Sequence, residues 1–84
     1  MSLVRMYTTR ICAYCVRAKW LLKKRGIPFE EIDVSGDPAT RAWLVEKTGR
    51  KTVPQVFIDD ESIGGADELF EMDRLGKLDG LGTS

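Results

Sequence analysis

The stretch LVRMYTTRICAYCVRAKWLLKKRG, residues 3–26, decides the fold because it passes from strand to helix across two cysteines. Leu3 to Tyr7 alternates and is rich in strand formers, whereas Val16 to Arg25 contains neither Gly nor Pro and favours a helix. Between them stands Cys12-Ala13-Tyr14-Cys15, which holds the only two cysteines of the chain. The pattern predicts a pair of thiols at the beginning of a helix.

Two thiols at this spacing can close a disulfide across one helical turn. The first of them, Cys12, faces the unpaired N–H groups and the positive end of the helix dipole, which favour its thiolate. A structural disulfide between such near neighbours closes a very small loop and stabilises little. A closed zinc site within one subunit is disfavoured, because the chain has no His and no further Cys. The pair therefore indicates redox chemistry.

The length and charge of the chain limit the number of domains and the classes of partner that we expect. The chain has 84 residues, which fits one small domain over 1–84, with 79–84 expected to form a loose tail. Thirteen basic and thirteen acidic residues balance, so nothing favours a nucleic-acid or membrane partner. We recognise no signal peptide or transmembrane run, and a lone CxxC pair fits a reducing compartment. We therefore expect a cytoplasmic protein, and we also expect it to be a monomer.

The remaining sequence predicts an α/β fold. A strand–helix–strand unit as short as the first one implies a parallel pair of strands with a right-handed crossover. Asp37 and Asp67 are expected to be the N-caps of the second and third helices. We expect strands at 3–7, 27–34, 55–58 and 62–64, and helices at 13–25, 38–48 and from 67 to about 75. These elements would form a four-stranded mixed sheet covered by three helices.

The first helix is expected to bury one broad face, formed by Tyr14, Cys15, Ala18, Leu21 and Leu22. Trp20 and Trp43 lie off the apolar stripes of their helices. We expect both to be partly buried against neighbouring elements rather than to form a docking patch for a partner.

Two further segments have features suited to a ligand. In Thr52-Val53-Pro54-Gln55 the proline directly precedes a strand, and an X–Pro bond tolerates the cis form far better than other peptide bonds do. A cis Val53–Pro54 bond would leave the Val53 backbone free to pair with an extended peptide. An ordinary trans proline at a strand start is the alternative. Gly64-Gly65 allows close approach of a ligand, although a plain loop would also explain it.

Taken together, these segments resemble the glutaredoxin family over essentially the whole chain. The matching residues are 6–8, 12–15, 52–59 and 63–67. The resemblance implies a thioredoxin fold and glutathione-dependent thiol–disulfide exchange, in which Cys12 attacks and Cys15 resolves protein disulfides. The implied partners are glutathione, as the reductant, and proteins with disulfides or glutathionyl groups. No tightly bound cofactor is implied.

The resemblance also implies where glutathione binds. The residues so assigned are Arg10, Tyr14, Arg41, Thr52, Val53, Pro54, Gly65, Ala66 and Asp67. In this assignment Val53 pairs its backbone with the cysteinyl unit, and the Ala66 and Asp67 amides bind the γ-glutamyl carboxylate. Arg41 reaches the glycyl carboxylate, and Tyr14 flanks the sulfur.

Two departures from the family pattern leave alternatives open. The family often has a lysine where Thr9 stands, and we expect the neighbouring Arg10 to substitute for it. The common CPYC is CAYC here, and some glutaredoxins with a small residue at this place hold a [2Fe–2S] cluster between two subunits. A cluster-binding dimer with Cys12 as its protein ligand is therefore an alternative. A redoxin reduced by a flavoprotein is disfavoured by the glutathione-facing residues.

Overall fold

The computed structural model describes residues 3–81, which form one four-stranded sheet and three helices. The strand order is β2-β1-β3-β4, with β1 parallel to β2 and antiparallel to β3, and with β3 antiparallel to β4. The elements are β1 (Val4–Thr8), α1 (Ala13–Lys24), β2 (Glu30–Asp33), α2 (Pro38–Thr48), β3 (Gln55–Ile58), β4 (Glu61–Gly64) and α3 (Ala66–Arg74). The expected fold class, a thioredoxin fold, is confirmed.

Local signals set most of the element ends. Asp37 caps α2 as predicted, since its carboxylate accepts the Thr40 N–H at 3.0 Å. The strand predicted from residue 27 begins only at Glu30, because the Ile27 N–H donates to the Leu22 carbonyl and completes the exit from α1. Glu61, predicted in the hairpin turn, instead begins β4.

The beginning of α3 differs from the prediction. Gly65, and not Asp67, is the N-cap residue, and Glu68 accepts the Gly65 N–H at 2.7 Å. A glutamate three residues after the cap is one half of a capping box, and glycine has no side chain to supply the other half. Asp67 is exposed in the first turn of α3, where its negative charge still complements the helix dipole.

The sheet buries one core on each face, because alternate side chains of a strand point to opposite sides. Met6 and Val56 belong to the core under α1 and α3, whereas Tyr7 and Phe57 belong to the core under α2. The buried residues of α1 are Cys15, Ala18, Leu21 and Leu22. Tyr14, predicted to join them, is 56% exposed, so that part of the prediction is wrong.

The two tryptophans behave differently. Trp43 stacks on Phe57 with ring centroids 5.8 Å apart, so its predicted partial burial against neighbouring elements is confirmed. Trp20 is 54% exposed and contacts Lys24 of its own helix instead. At the other end of the chain, residues 79–81 of the predicted loose tail are described, and Leu81 packs against the core under α1 and α3. Residues 82–84 lie outside the described residues.

None of the helices within residues 3–81 has the length and apolar character needed to cross a membrane.

Candidate functional site

Cys12 stands between β1 and α1, with its sulfur at the helix N-terminus. The Sγ atom accepts the Cys15 N–H at 3.1 Å and lies 3.6 Å from the Val53 carbonyl oxygen, to which the thiol can donate. An N–H group at a helix N-terminus stabilises negative charge on a sulfur that it contacts. Cys12 is half-buried, whereas Cys15 is 1% exposed. Cys12 is therefore the sulfur that an external disulfide can reach.

Cys15 is held as a neutral thiol. Its pKa is raised to about 12, first by burial and then by its hydrogen bond to Cys12, against smaller lowering effects that include the backbone of Thr9 and the charge of Lys19. A thiol with such a pKa is almost fully protonated at neutral pH and is a poor nucleophile. The two cysteines therefore differ in both access and protonation.

A polar cluster lies one helical turn beyond Cys15. Lys19 Nζ contacts Glu31 Oε2 at 3.0 Å, and the buried Thr8 hydroxyl donates to the same oxygen at 2.8 Å. The hydrogen bond from Lys19 is the main cause that holds the pKa of Glu31 below its usual value. The cluster fixes the Lys19 ammonium near the buried thiol. Sequence reasoning did not identify it, because its members lie on three different elements.

A cleft of about 190 Å³ opens next to the thiol pair. One wall is the segment around Val53, which contacts Cys12, and the opposite wall is the beginning of α3. The cleft brings together seven of the residues assigned to glutathione from the sequence, namely Tyr14, Thr52, Val53, Pro54, Gly65, Ala66 and Asp67. Such a groove, with backbone N–H groups at a helix N-terminus, suits an extended ligand that carries a carboxylate.

The two predicted arginines lie outside this cleft. Arg41 lines an adjoining cleft of about 220 Å³, and the two clefts share Arg50, Thr52 and Val53. Arg10 lines a third depression together with Arg41, and its backbone N–H donates to Ser35. Arg41 is thus placed next to the first cleft, whereas Arg10 lies one step further away.

The segment around Val53 is fixed by its neighbour in β3. The Val53–Pro54 peptide bond is cis, as predicted. Gln55 is fully buried, and its side-chain amide donates to the Thr52 carbonyl at 2.9 Å and to the Thr52 hydroxyl at 3.3 Å. Gln55, which was not among the predicted site residues, therefore holds the Thr52 backbone that forms the cleft wall.

Arg50 and Glu68 join the two walls of the cleft and were also missed. Arg50 Nη1 donates to Glu68 Oε1 at 2.7 Å, and the Gly65 N–H donates to the same oxygen at 2.7 Å. The bond from Arg50 is the main cause that lowers the pKa of Glu68. The spacing of Gly65 and Glu68, typical of a helix cap and its third residue, was the available sequence signal.

Comparison with known proteins agrees with this geometry. A family model described as glutaredoxin matches residues 4–63. A glutaredoxin of Pseudomonas aeruginosa is 49% identical over 78 residues, which cover 93% of each chain. Glutaredoxin 3 of Escherichia coli is 46% identical over 81 residues, covering 96% of this chain and 98% of that protein.

Solved structures show the same similarity. The crystal structure of a buckwheat glutaredoxin–glutathione complex superposes with a TM-score of 0.87 at 35% identity, covering 92% of this chain and 73% of that one. The solution structure of a glutaredoxin from Brucella melitensis superposes with a TM-score of 0.84 at 47% identity, covering 94% of this chain and 86% of that one.

Proposed function

The chain belongs to the glutaredoxin family, whose members are glutathione-dependent thiol–disulfide oxidoreductases, and from this premise we propose that Cys12 is its nucleophile and Cys15 its resolving thiol. The observation that carries the proposal is the contrast between the two sulfurs. Cys12 is accessible and accepts an N–H bond from the start of α1, whereas Cys15 is buried and protonated.

With a glutathionylated protein, the Cys12 thiolate attacks the sulfur of the glutathionyl group. The protein–glutathione disulfide breaks, a Cys12–glutathione disulfide forms, and the protein sulfur leaves as a thiolate that takes up a proton. The thiolate of a second glutathione then attacks the glutathionyl sulfur on Cys12. This step yields oxidised glutathione and regenerates the Cys12 thiolate.

With a protein disulfide, Cys12 attacks one sulfur and releases the other as a thiolate. Cys15 loses its proton and attacks the Cys12 sulfur of the mixed disulfide, which frees the second protein thiol and leaves a Cys12–Cys15 disulfide. Two glutathione molecules then reduce this disulfide and become oxidised glutathione. Cys15 is needed for the second route alone.

We place glutathione in the cleft between the Val53 segment and α3. Val53 offers its backbone to the cysteinyl unit, and Thr52 and Pro54 form the wall beside it. At the other wall, the N–H groups of Ala66 and Asp67 at the start of α3 suit the γ-glutamyl carboxylate. These contacts would place the glutathione sulfur near Val53, whose carbonyl oxygen lies beside Cys12.

Three side chains complete this placement. The Asp67 carboxylate, exposed in the first turn of α3, suits the ammonium group of the γ-glutamyl unit. Tyr14 lines the same cleft and would flank the sulfur. Arg41, in the adjoining cleft, suits the glycyl carboxylate, to which a guanidinium can donate two parallel hydrogen bonds. We expect Arg10 to contribute less to glutathione binding than Arg41 does, because Arg10 lines only the depression beyond Arg41.

Two serine variants test the roles of the thiols. Cys12→Ser is expected to abolish reduction of both a glutathione mixed disulfide and a protein disulfide. Cys15→Ser should keep the first reaction and lose the second, because only the second needs the resolving thiol. Both reactions are measured as the rate of oxidised glutathione formation. Retention of the first reaction by Cys12→Ser, or its loss in Cys15→Ser, would contradict the assignment.

We propose that the protein acts as a monomer in a reducing compartment such as the cytoplasm, where both cysteines stay free. The [2Fe–2S] alternative would need Cys12 from two chains together with outside thiols, since Cys15 is buried and protonated. Within residues 3–81 no three His, Cys, Asp or Glu side chains lie close enough together to hold a metal ion. No observation on the described residues favours the cluster over thiol exchange.

A further inference from the structure

An exposed apolar stripe on α1 begins at the reactive sulfur. On the helix, Val16 and Trp20 are 61% and 54% exposed, and Ile11, which precedes Cys12 in the loop before α1, is 97% exposed. Val16 and Trp20 follow Cys12 at intervals of four residues, and the Val16 N–H donates to the Cys12 carbonyl at 3.1 Å. Residues at this interval lie along one side of a helix. Large apolar side chains that are exposed beside a reactive group are typical of a contact surface.

The same helix is basic. Its charged residues are Arg17, Lys19, Lys23 and Lys24, and none is acidic. Lys24 Nζ lies 4.9 Å from the centroid of the Trp20 ring, so positive charge borders the apolar stripe directly. Of the four cations, Lys19 alone has a salt-bridge partner among residues 3–81, namely Glu31. Arg17 lies over the Phe70 ring, with its guanidinium carbon 5.4 Å from the ring centroid, but it has no carboxylate partner in this part of the chain. The positive charges of Arg17, Lys23 and Lys24 are therefore not neutralised by an ion pair within residues 3–81.

We infer that this face of α1, defined by Val16, Arg17, Trp20 and Lys24, docks the polypeptide that flanks the target cysteine of protein substrates. We further infer that it prefers an acidic segment with one apolar side chain. The inference rests on the proposed function, because that polypeptide is the one released when Cys12 attacks. When the glutathionyl half of the target disulfide occupies the cleft, the protein half has to extend elsewhere, and α1 is the surface that continues from Cys12.

Distances along the helix define the partner more closely. Trp20 is eight residues from Cys12, which corresponds to about 12 Å along a helix axis. An extended chain covers about the same distance in roughly four residues. An apolar side chain four positions from the target cysteine can therefore contact Trp20, while acidic neighbours face Arg17 and Lys24.

Two synthetic peptides provide the test. Both carry one glutathionylated cysteine and a leucine four positions away, and they differ only in having aspartates or lysines between the two. The rate of glutathione-dependent release gives kcat/KM for each peptide. We expect the parent protein to favour the acidic peptide by about tenfold at low salt, with the preference falling as salt screens the charges.

Variants on α1 locate the preference. Lys24→Glu and Arg17→Glu should each lower kcat/KM for the acidic peptide by roughly threefold to fivefold and raise it for the basic one. Trp20→Ser should lower it for both peptides, because both contain the leucine. Lys47→Glu is the matched control, since it makes the same charge change at an exposed position of α2, across the sheet. Lys47→Glu should leave the ratio of kcat/KM for the acidic peptide to kcat/KM for the basic peptide unchanged.

A substrate without a flanking polypeptide separates this inference from the proposed function. All four variants should reduce the mixed disulfide of glutathione and free cysteine as fast as the parent. If the parent reduces this small disulfide and treats the two peptides alike, the docking inference is wrong and the proposed function stands. If the parent does not reduce it, both are wrong.

A second copy of the chain is the competing occupant of this face. A concentration-dependent dimer that Lys24→Glu dissociates, with no change in peptide preference, would assign the face to that copy and overturn the inference. The two charge variants keep the test decisive even if Trp20→Ser unfolds, because Arg17 and Lys24 are exposed.

Discussion

Replacing Gly64 by alanine should damage both the fold and the cleft, because this glycine faces the residue that joins the two walls. Gly64 ends β4 with a φ of +105°, which L side chains rarely adopt. A Cβ atom at this position would lie 2.5 Å from Glu68 Oε1 and 2.7 Å from Glu68 Cγ. Glu68 would have to move, and it would lose its bonds to the Gly65 N–H and to Arg50.

The expected cost has two parts. A non-glycine residue held at such a φ costs about 1–3 kcal/mol. Loss of a helix cap costs about 0.5–2 kcal/mol. We therefore expect Gly64→Ala to lower the free energy of unfolding by about 2–4 kcal/mol. In a domain of this size that corresponds to a fall in Tm of roughly 10–25 °C.

A double-mutant cycle separates the two parts. Glu68→Ala removes the atoms that the new methyl group would meet, so Gly64→Ala should cost about 1–2 kcal/mol less in that background. Gly36→Ala is the control, because Gly36 has no positive φ and nothing within 4 Å of a Cβ atom, and it should change stability little. Denaturant unfolding measures all of these variants. An equal cost of Gly64→Ala in both backgrounds would refute the proposed clash with Glu68.

Three further predictions concern the charges around the site. Arg41→Ala should raise the KM for glutathione by about threefold to tenfold at low salt, and Arg10→Ala should have a smaller effect, as steady-state kinetics at two salt concentrations will show. Lys19→Gln removes a charge that lowers the pKa of Cys15, so reduction of protein disulfides should need a higher pH while deglutathionylation is unchanged. The pKa of Glu31 is lowered below 4.5 in the folded state, so its contribution to stability is present above that pH and lost as the pH falls. In Glu31→Gln the free energy of unfolding should therefore depend less steeply on pH in the acid range than it does in the parent. If the free energies of unfolding of the two proteins fell in parallel as the pH was lowered, this prediction would be contradicted.

Elements whose ends depend on neighbouring residues were predictable from the sequence. Asp37, Pro38 and Gly49 bound α2 as expected, because a cap, a first-turn proline and a left-handed glycine act within one turn. The start of α3 was not predictable in the same way, since both Gly65 and Asp67 are suitable caps. Its position is consistent with a long-range bond, because Glu68 is held by Arg50, which lies 18 residues earlier.

The residues of the candidate site also differ in how far the sequence could predict them. The contiguous segments around Val53 and Ala66 were identified by resemblance to a family, and the fold brings them into one cleft. The relation of Arg10 to Arg41 depends on how α2 packs beside the loop after β1, which no local pattern encodes. The cluster of Lys19, Glu31 and Thr8 was missed for this reason, although each residue is ordinary for its own element.

In the proposed mechanism, the contrast between the two thiols favours activation of Cys15 after Cys12 has reacted. Before reaction, two of the causes that raise the pKa of Cys15 come from Cys12, through a hydrogen bond and through its charge. Both depend on a free sulfur at Cys12. When Cys12 forms a mixed disulfide it loses its charge and becomes a weaker acceptor, while the lowering effects of Lys19 and the Thr9 backbone remain. We therefore expect the pKa of Cys15 to fall once Cys12 has reacted. Burial, the largest cause of the raised pKa of Cys15, persists after Cys12 has reacted, whereas the contribution of Cys12 is lost, and this loss favours the deprotonation of Cys15 that the second step requires.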